Sequence, residues 1–334
     1  MRRDRSRVAV IGTGGTISAI GRDAFDLHDY DAHGVMLDAA ELLARCPRAE
    51  SDPDRYAVPF GTVSSVRIGF EEWRHLAILC HDIADRDPDL AGIVIAHGTA
   101  TLEETAFFLH LVLKIEVPVV VTGAMRPWNG LSSDAAANLR DAIRVAAVPE
   151  ARGLGVMVVM NGEIHAARDV TKTSTTRLDA FRSPTAGPLG EMSADRILFR
   201  RRPWSEPAGD PLFAIDAIPA LPRVDILHAY AGGDGALARA AIAAGARGIV
   251  SAGFAPGETH PEEVAALRAA AKNGVVIVQS THAGSGRVPP AAHLAENGFI
   301  GAEDLPPHKA RILLALGLTL TRDPERIAAM FQDC

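Results

Sequence analysis

A chain of 334 residues is long enough for two domains with separate cores, because single hydrophobic cores stop growing at roughly 250–300 residues. Its 48% hydrophobic and 22% charged content is ordinary for a soluble globular protein, and a net charge of −7 argues against a nucleic-acid or anionic-membrane partner. Cys46, Cys80 and Cys334 are far apart and form no Cys-x-x-Cys or Cys/His cluster, which argues against disulfide and zinc frameworks and for a reducing, cytoplasmic setting.

The basic N-terminus leads into a short Val/Ala/Ile strand at 8–11 broken by Gly12, not into the longer apolar run of a signal peptide. No stretch approaches the ~18 uncharged apolar residues of a membrane span. Apolar runs at 8–11, 92–96, 117–122 and 155–160 alternate with helical periods over 70–83, 103–113 and 134–146. Strands apolar on both faces and separated by amphipathic helices predict a parallel sheet covered on both sides, a doubly wound α/β domain. Residues 200–211, with three prolines and a charge cluster, read as a linker with the domain boundary near Pro211. Beyond it, strands at 224–227, 248–251 and 274–279 alternate with helices at 235–244 and 261–271, and helices at 307–317 and 324–331 close the chain. The expected architecture is α/β, with a larger N-terminal doubly wound domain over 1–200, a linker over 201–222, and a smaller flavodoxin-like parallel domain over 223–334.

Two of the strand ends carry chemistry. The strand at 8–11 feeds Gly12-Thr13-Gly14-Gly15-Thr16, and the strand at 92–96 feeds His97-Gly98-Thr99-Ala100-Thr101. Ligands of open α/β sheets bind beyond the carboxyl ends of the strands, so Thr16 and Thr99 both point toward one site and suggest a hydroxyl nucleophile with a partner. The first turn resembles a dinucleotide fingerprint, but Ile17 stands where that motif needs Gly or Ala, and no Walker lysine follows. A plainer alternative is that the glycines only make a tight turn. Downstream, Asp169-Val170-Thr171-Lys172-Thr173-Ser174-Thr175-Thr176 is rich in hydroxyls around one lysine. A desolvated lysine loses proton affinity and can serve as general base toward a threonine, whereas on an exposed loop the same lysine is only a solvated charge. His97 reads as a structural hydrogen-bonding residue, Trp73 and Trp128 as packing, and Glu103 and Glu104 as capping and dipole partners of a helix start. No two histidines lie three or four apart, so no metal is expected, nor any other cofactor.

Thr13-Gly14-Gly15-Thr16-Ile17, His97-Gly98-Thr99-x-Thr101-x-Glu103-Glu104-Thr105, Gly123-Ala124-Met125-Arg126-Pro127 and Asp169-Val170-Thr171-Lys172-Thr173 resemble the signature segments of the bacterial-type L-asparaginase family. The likeness runs nearly the full chain, to Lys309-Ala310-Arg311 and the last helix. It implies hydrolysis of a side-chain carboxamide to acid and ammonia through a threonyl-acyl intermediate. Thr16 matches the family nucleophile. Tyr30, in a polar segment that looks like the family's lid, matches the tyrosine that activates it. Thr99 and Lys172 match the second threonine and its lysine. Backbone N–H groups at Gly15 and Gly98 would form the oxyanion hole. The resemblance also implies a homotetramer, a dimer of dimers with sites near subunit contacts.

The departures bear on substrate. Ala100 stands where the family has the aspartate that completes the lysine triad and holds the substrate's α-ammonium. The serine gripping the α-carboxylate is kept as Ser64 or Ser65, but its polar neighbour becomes Val66, and a glutamate lent by a neighbouring subunit aligns near Ala291. A buried ammonium without an acid partner costs several kcal/mol. The expectation is therefore an amidohydrolase, nominally for L-asparagine, acting on a small carboxylate-bearing amide without a free α-ammonium, unless an acid such as Glu258 substitutes. The alternatives are a catalytically impaired paralogue that senses a small amide or acid, and an ammonia-supplying amidotransferase subunit, which would usually carry a further N-terminal domain.

Overall fold

Val8, Ala9, Val10 and Ile11 are completely buried because the first strand runs inside a sheet covered on both faces. The computed structural model describes residues 7–194, 196–203 and 213–334. It divides into two compact units at Ile215/Asp216. Residues 204–212 of the expected linker, with Pro211, lie outside the described residues.

In chain order the first unit contains β1 (Arg7–Gly12), β2 (Ala19–Ile20), β3 (Val35–Met36), α1 (Ala39–Arg45), β4 (Asp54–Val58), α2 (Phe70–Arg86), β5 (Leu90–Ala96) and α3 (Leu102–Val112). There follow β6 (Val119–Thr122), α4 (Ala135–Ala146), β7 (Val156–Met160), β8 (Glu163–Ala166), β9 (Thr171–Lys172), β10 (Phe181–Arg182), β11 (Gly190–Ser193) and β12 (Arg196–Phe199). The main sheet has eight strands in the order β12-β11-β8-β7-β6-β5-β1-β4. Strands β4, β1, β5, β6 and β7 are parallel. Val8, Val10, Val94, Ala96, Val120, Met157 and Val159 share one core cluster with Leu42 of α1 and with Leu139 and Ile143 of α4. Helices α2 and α3 contribute nothing to that cluster; α3 packs on β6 and β7 from the other side. The chain leaves β1 toward β4 and then returns across it to β5, so the strand order reverses between β1 and β5, and the crevice of an open sheet opens at such a point.

The sheet is mixed, where the apolar runs predicted a parallel one. A two-residue turn at Asn161 (φ 50) and Gly162 (φ 74) folds β8 back antiparallel onto β7. Positive φ at both central residues gives the turn the twist of a tight hairpin. Strands β11 and β12 extend that antiparallel edge.

The second unit contains β13 (Val224–His228), α5 (Ala236–Ala243), β14 (Gly248–Gly253), α6 (Pro261–Lys272), β15 (Val276–Thr281), α7 (Ala292–Asn297), β16 (Phe299–Gly301), α8 (Pro307–Leu320) and α9 (Pro324–Asp333). Its four strands are parallel and lie in simple chain order, so no reversal occurs within this sheet. Ala238, Ala241, Leu267, Ala270 and Leu294 pack with Ile249 and Ile277 in one cluster, while α8 contacts β13, β14 and β15. Alanines thus supply much of the buried face of α5 and part of that of α6.

Candidate active site

Two turns grow from the neighbouring ends of β1 and β5. Thr13 N–H extends the ladder to Ala96 O at 2.9 Å, and His97 N–H reaches Thr122 O at 2.8 Å. The first turn then uses Gly14 (φ 101) and Gly15 (φ 81), conformations that side-chain-bearing residues rarely adopt. At Gly15 a Cβ would lie 2.1 Å from Gly98 Cα, and at Gly98 one would lie 2.5 Å from Ser65 Oγ. Both glycines are needed for close approach, which sets the threonines that follow them, Thr16 and Thr99, on adjoining turns. A third segment closes the cradle: Thr101 Oγ1 donates to Ser65 O at 2.8 Å, and Val63 N–H donates to Thr13 O at 2.8 Å.

The Thr16 hydroxyl lies 2.8 Å from the Tyr30 hydroxyl. Tyr30 begins a short 3-10 turn, Tyr30–His33. The preceding segment is tied down locally, since Asp26 accepts from the Arg22 side chain at 3.0 Å and from the Asp29 N–H at 3.2 Å. Asn129 brackets Gly21, accepting from its N–H and donating to its carbonyl, both at 2.7 Å. On the second turn Lys172 Nζ donates to Thr99 Oγ1 at 2.9 Å. Burial pushes the Lys172 pKa down, and the nearby Glu103 carboxylate partly opposes that fall. Both threonines are buried. Two hydroxyls are thus each paired with a group able to exchange a proton, a phenol on one and an amine on the other.

Behind the second turn lies a directed chain of hydrogen bonds. Gly98 O can only accept, so His97 Nδ1 carries the proton that it receives at 2.8 Å. His97 Nε2 is then an acceptor and takes the Thr105 hydroxyl proton at 3.0 Å. Thr105 Oγ1 in turn accepts from Trp73 Nε1 at 2.9 Å. Burial drops the His97 pKa to about 4, so the ring stays neutral and acts as a structural link, as its sequence context suggested. Trp73 stacks on Phe108 with centroids 5.0 Å apart, and Trp128 packs against the core of the first unit.

Within the first unit, then, Gly15, Thr16, Tyr30, Ser65, Gly98, Thr99 and Lys172 converge. Of the two candidate serines, Ser65 is buried against Gly98, whereas Ser64 is exposed. Ala100 is exposed beside Thr99, and Val66 is 75% exposed. Glu258 belongs to the second unit, exposed on the turn after β14. One expectation is corrected. Glu103 is not simply a partner of its own helix start, because its buried Oε1 accepts the Lys172 backbone N–H at 3.1 Å. Thr101, the residue that opens the helix, makes no side-chain cap. The acidic pair at 103–104 signalled a helix N-terminus, and nothing in that local pattern could reveal a partner 69 residues away.

Comparison with known proteins gives one answer over the whole chain. The family described as "Asparaginase, N-terminal" matches residues 7–205, and "Glutaminase/Asparaginase C-terminal domain" matches residues 223–331. L-asparaginase 2 of Bacillus subtilis is 37% identical over 332 residues, covering 99% of this chain and 88% of that protein. A probable periplasmic L-asparaginase of Haemophilus influenzae is 36% identical over 332 residues, covering 99% and 93%. The crystal structure of a probable cytoplasmic L-asparaginase from Campylobacter jejuni superposes with a TM-score of 0.91 at 36% identity, covering 98% of this chain and 99% of that one.

Proposed function

Since this chain belongs to the asparaginase family and is an amidohydrolase, we propose that it hydrolyses the carboxamide of a small carboxylate-bearing substrate with Thr16 as nucleophile. The observation that carries this reading is the pair of hydroxyl contacts on adjoining turns, Tyr30 to Thr16 at 2.8 Å and Lys172 to Thr99 at 2.9 Å. Thr16 Oγ attacks the amide carbon while its proton passes toward Tyr30 and on to the leaving nitrogen, which departs as ammonia. Water then attacks the threonyl ester. Neutral Lys172, favoured by burial, takes a proton through Thr99 as that water adds, and Thr16 Oγ leaves with a proton restored. Backbone N–H groups of the Gly15 and Gly98 turns receive the charge that develops on the carbonyl oxygen. Ser65 and the Gly15 backbone hold the substrate carboxylate.

The substrate is an amide whose α-amino group is absent or acylated. Ala100 offers a methyl group where an ammonium needs a carboxylate, so this turn gives a free α-ammonium no ionic partner. Glu258, lent by a neighbouring copy of the chain in a homotetramer, is the acid that would restore L-asparagine as substrate. We place the protein in the cytoplasm, in line with cysteines that are few and far apart in the sequence; among the described residues no helix is long and apolar enough to cross a membrane.

Ammonia release from L-asparagine, D-asparagine, L-glutamine, succinamate, N-acetyl-asparagine and an asparagine-terminated dipeptide tests the reading, with Ala100→Asp and Thr16→Ala alongside. Preference for the amides without a free ammonium, and a gain of L-asparagine turnover in Ala100→Asp, are expected. Efficient L-asparagine hydrolysis by the wild type refutes the role given to Ala100. Full activity of Thr16→Ala refutes the nucleophile, and silence across the panel favours a protein that only binds its ligand.

A further inference from the structure

The turn that presents Thr99 lacks a carboxylate at Ala100, yet a carboxylate reaches its lysine from elsewhere. Strand β9 is only two residues long and pairs with β10, which is equally short. In that antiparallel ladder Thr173 N–H bonds Ala180 O at 2.7 Å, so the N–H of the preceding residue, Lys172, points away from β10. It is taken by Glu103 Oε1 at 3.1 Å. Glu103 is 9% exposed and sits on the first turn of α3, four residues after Thr99. One stretch of chain therefore grips Lys172 at both ends, Thr99 on Nζ and Glu103 on the backbone.

We infer that Glu103 is a positioning residue of this amidohydrolase, supplying from α3 the carboxylate that fixes Lys172 against Thr99 and that Ala100 does not provide. The inference rests on the role proposed above for Lys172. It has a mechanical part and an electrostatic part. Mechanically, the bond to α3 fixes where β9 lies, which a two-residue ladder alone holds poorly, and a misplacement of about 1 Å in a catalytic group can cost ~100-fold in rate. Electrostatically, the carboxylate stabilises the ammonium form, so the lysine deprotonates at a higher pH than burial alone would set. The other charged groups on the surrounding segments are engaged elsewhere. Arg182 on β10 pairs with Asp179 and Glu163, and Asp169 before β9 pairs with Arg168 and Arg201. Of the two glutamates on the first turn of α3, Glu103 and Glu104, it is the charge of Glu103 that acts on Lys172.

Glu103→Gln separates the two parts, because its amide oxygen can still accept the Lys172 N–H while the charge is gone. The chain's lysines are Lys114, Lys172, Lys272 and Lys309, few enough for competitive acetylation with mass-spectrometric readout to titrate Lys172 individually. In Glu103→Gln the Lys172 titration and the acid limb of kcat/KM should both move to lower pH, by on the order of one unit, with little change in Tm. Glu103→Ala, which also loses the backbone contact, should lower kcat by a further ~10-fold or more with KM nearly unchanged. An unmoved Lys172 titration in Glu103→Gln, with equal losses in both variants that track Tm, overturns the inference and leaves a structural glutamate. Lys172→Met distinguishes the underlying reading: if it keeps the wild-type rate and acid limb, Lys172 is not the base, whatever Glu103 does to its titration.

Discussion

Replacing Gly15 by alanine is the sharpest mechanical test of the site. At φ 81 and ψ −172, Gly15 occupies a backbone region essentially reserved for glycine, at a cost of about 1–3 kcal/mol for any other residue. A Cβ there would lie 2.1 Å from Gly98 Cα and 2.6 Å from Gly98 N, well inside ordinary contact. Both atoms are backbone, so no rotamer change relieves the overlap, and the two turns must part by more than an ångström. Overpacking of that kind adds about 1–3 kcal/mol. Together the terms predict about 2–6 kcal/mol of destabilisation, a fall in Tm of roughly 5–20 °C for a unit of this size. Parting the turns also separates Thr16 from Thr99, so the folded fraction should be ~100-fold slower. Gly153→Ala is the matched control, since Gly153 also has positive φ, 70, but a methyl group there would meet nothing within 4 Å. Circular-dichroism melting and ammonia release read the two effects. A Gly15→Ala protein that melts with Gly153→Ala and turns over at the wild-type rate would refute the close packing of the turns.

Tyr30→Phe removes the hydroxyl that contacts Thr16, so kcat should fall ~100-fold with the fold intact; an unchanged kcat would remove Tyr30 from the chemistry. Trp73→Phe keeps the stack on Phe108 but takes away the donor to Thr105, for about 1–2 kcal/mol. Thr105→Val should cost more in urea unfolding, because it strands both the Trp73 N–H and His97 Nε2; equal costs would contradict a chain of bonds running from Trp73 through Thr105 to His97. Burial holds His97 neutral with its pKa at about 4, while the unfolded chain protonates near 6.5. Its stabilising contribution is therefore complete above about 6.5 and is lost as pH falls toward 4, by about 3 kcal/mol in all. Wild type should lose that much more stability than His97→Gln between pH 7 and pH 4, and parallel pH profiles would show that the imidazole is not buried neutral.

Much of the backbone was legible because local chemistry dictates it. Runs such as Ile93-Val94-Ile95 are apolar on both faces and β-branched, so they specify buried strands wherever they occur, and β1, β5, β6 and β7 lie where those runs predict. Helices α2, α3 and α4 follow from apolar residues at helical spacing, and α8 and α9 from prolines that suit a first turn. The glycine turns bearing Thr16 and Thr99 were equally visible, because tight turns need particular residues in particular places.

Tertiary structure decided most of the pairings. The antiparallel strands β8, β11 and β12 are short, with too few residues to display a period; the local Asn161-Gly162 turn reverses β8 onto β7, but only contact with β8 seats β11 in the sheet. The reversal between β1 and β5, which makes the two threonine turns neighbours, is a property of strand order, and strand order is not written in any one strand. Of the adjacent serines, packing against Gly98 buries Ser65 and leaves Ser64 exposed. Glu103 met Lys172 for the same reason. Residue spacing encodes what lies within a turn or two of chain, whereas a bond spanning 69 residues exists only once packing has brought β9 against α3.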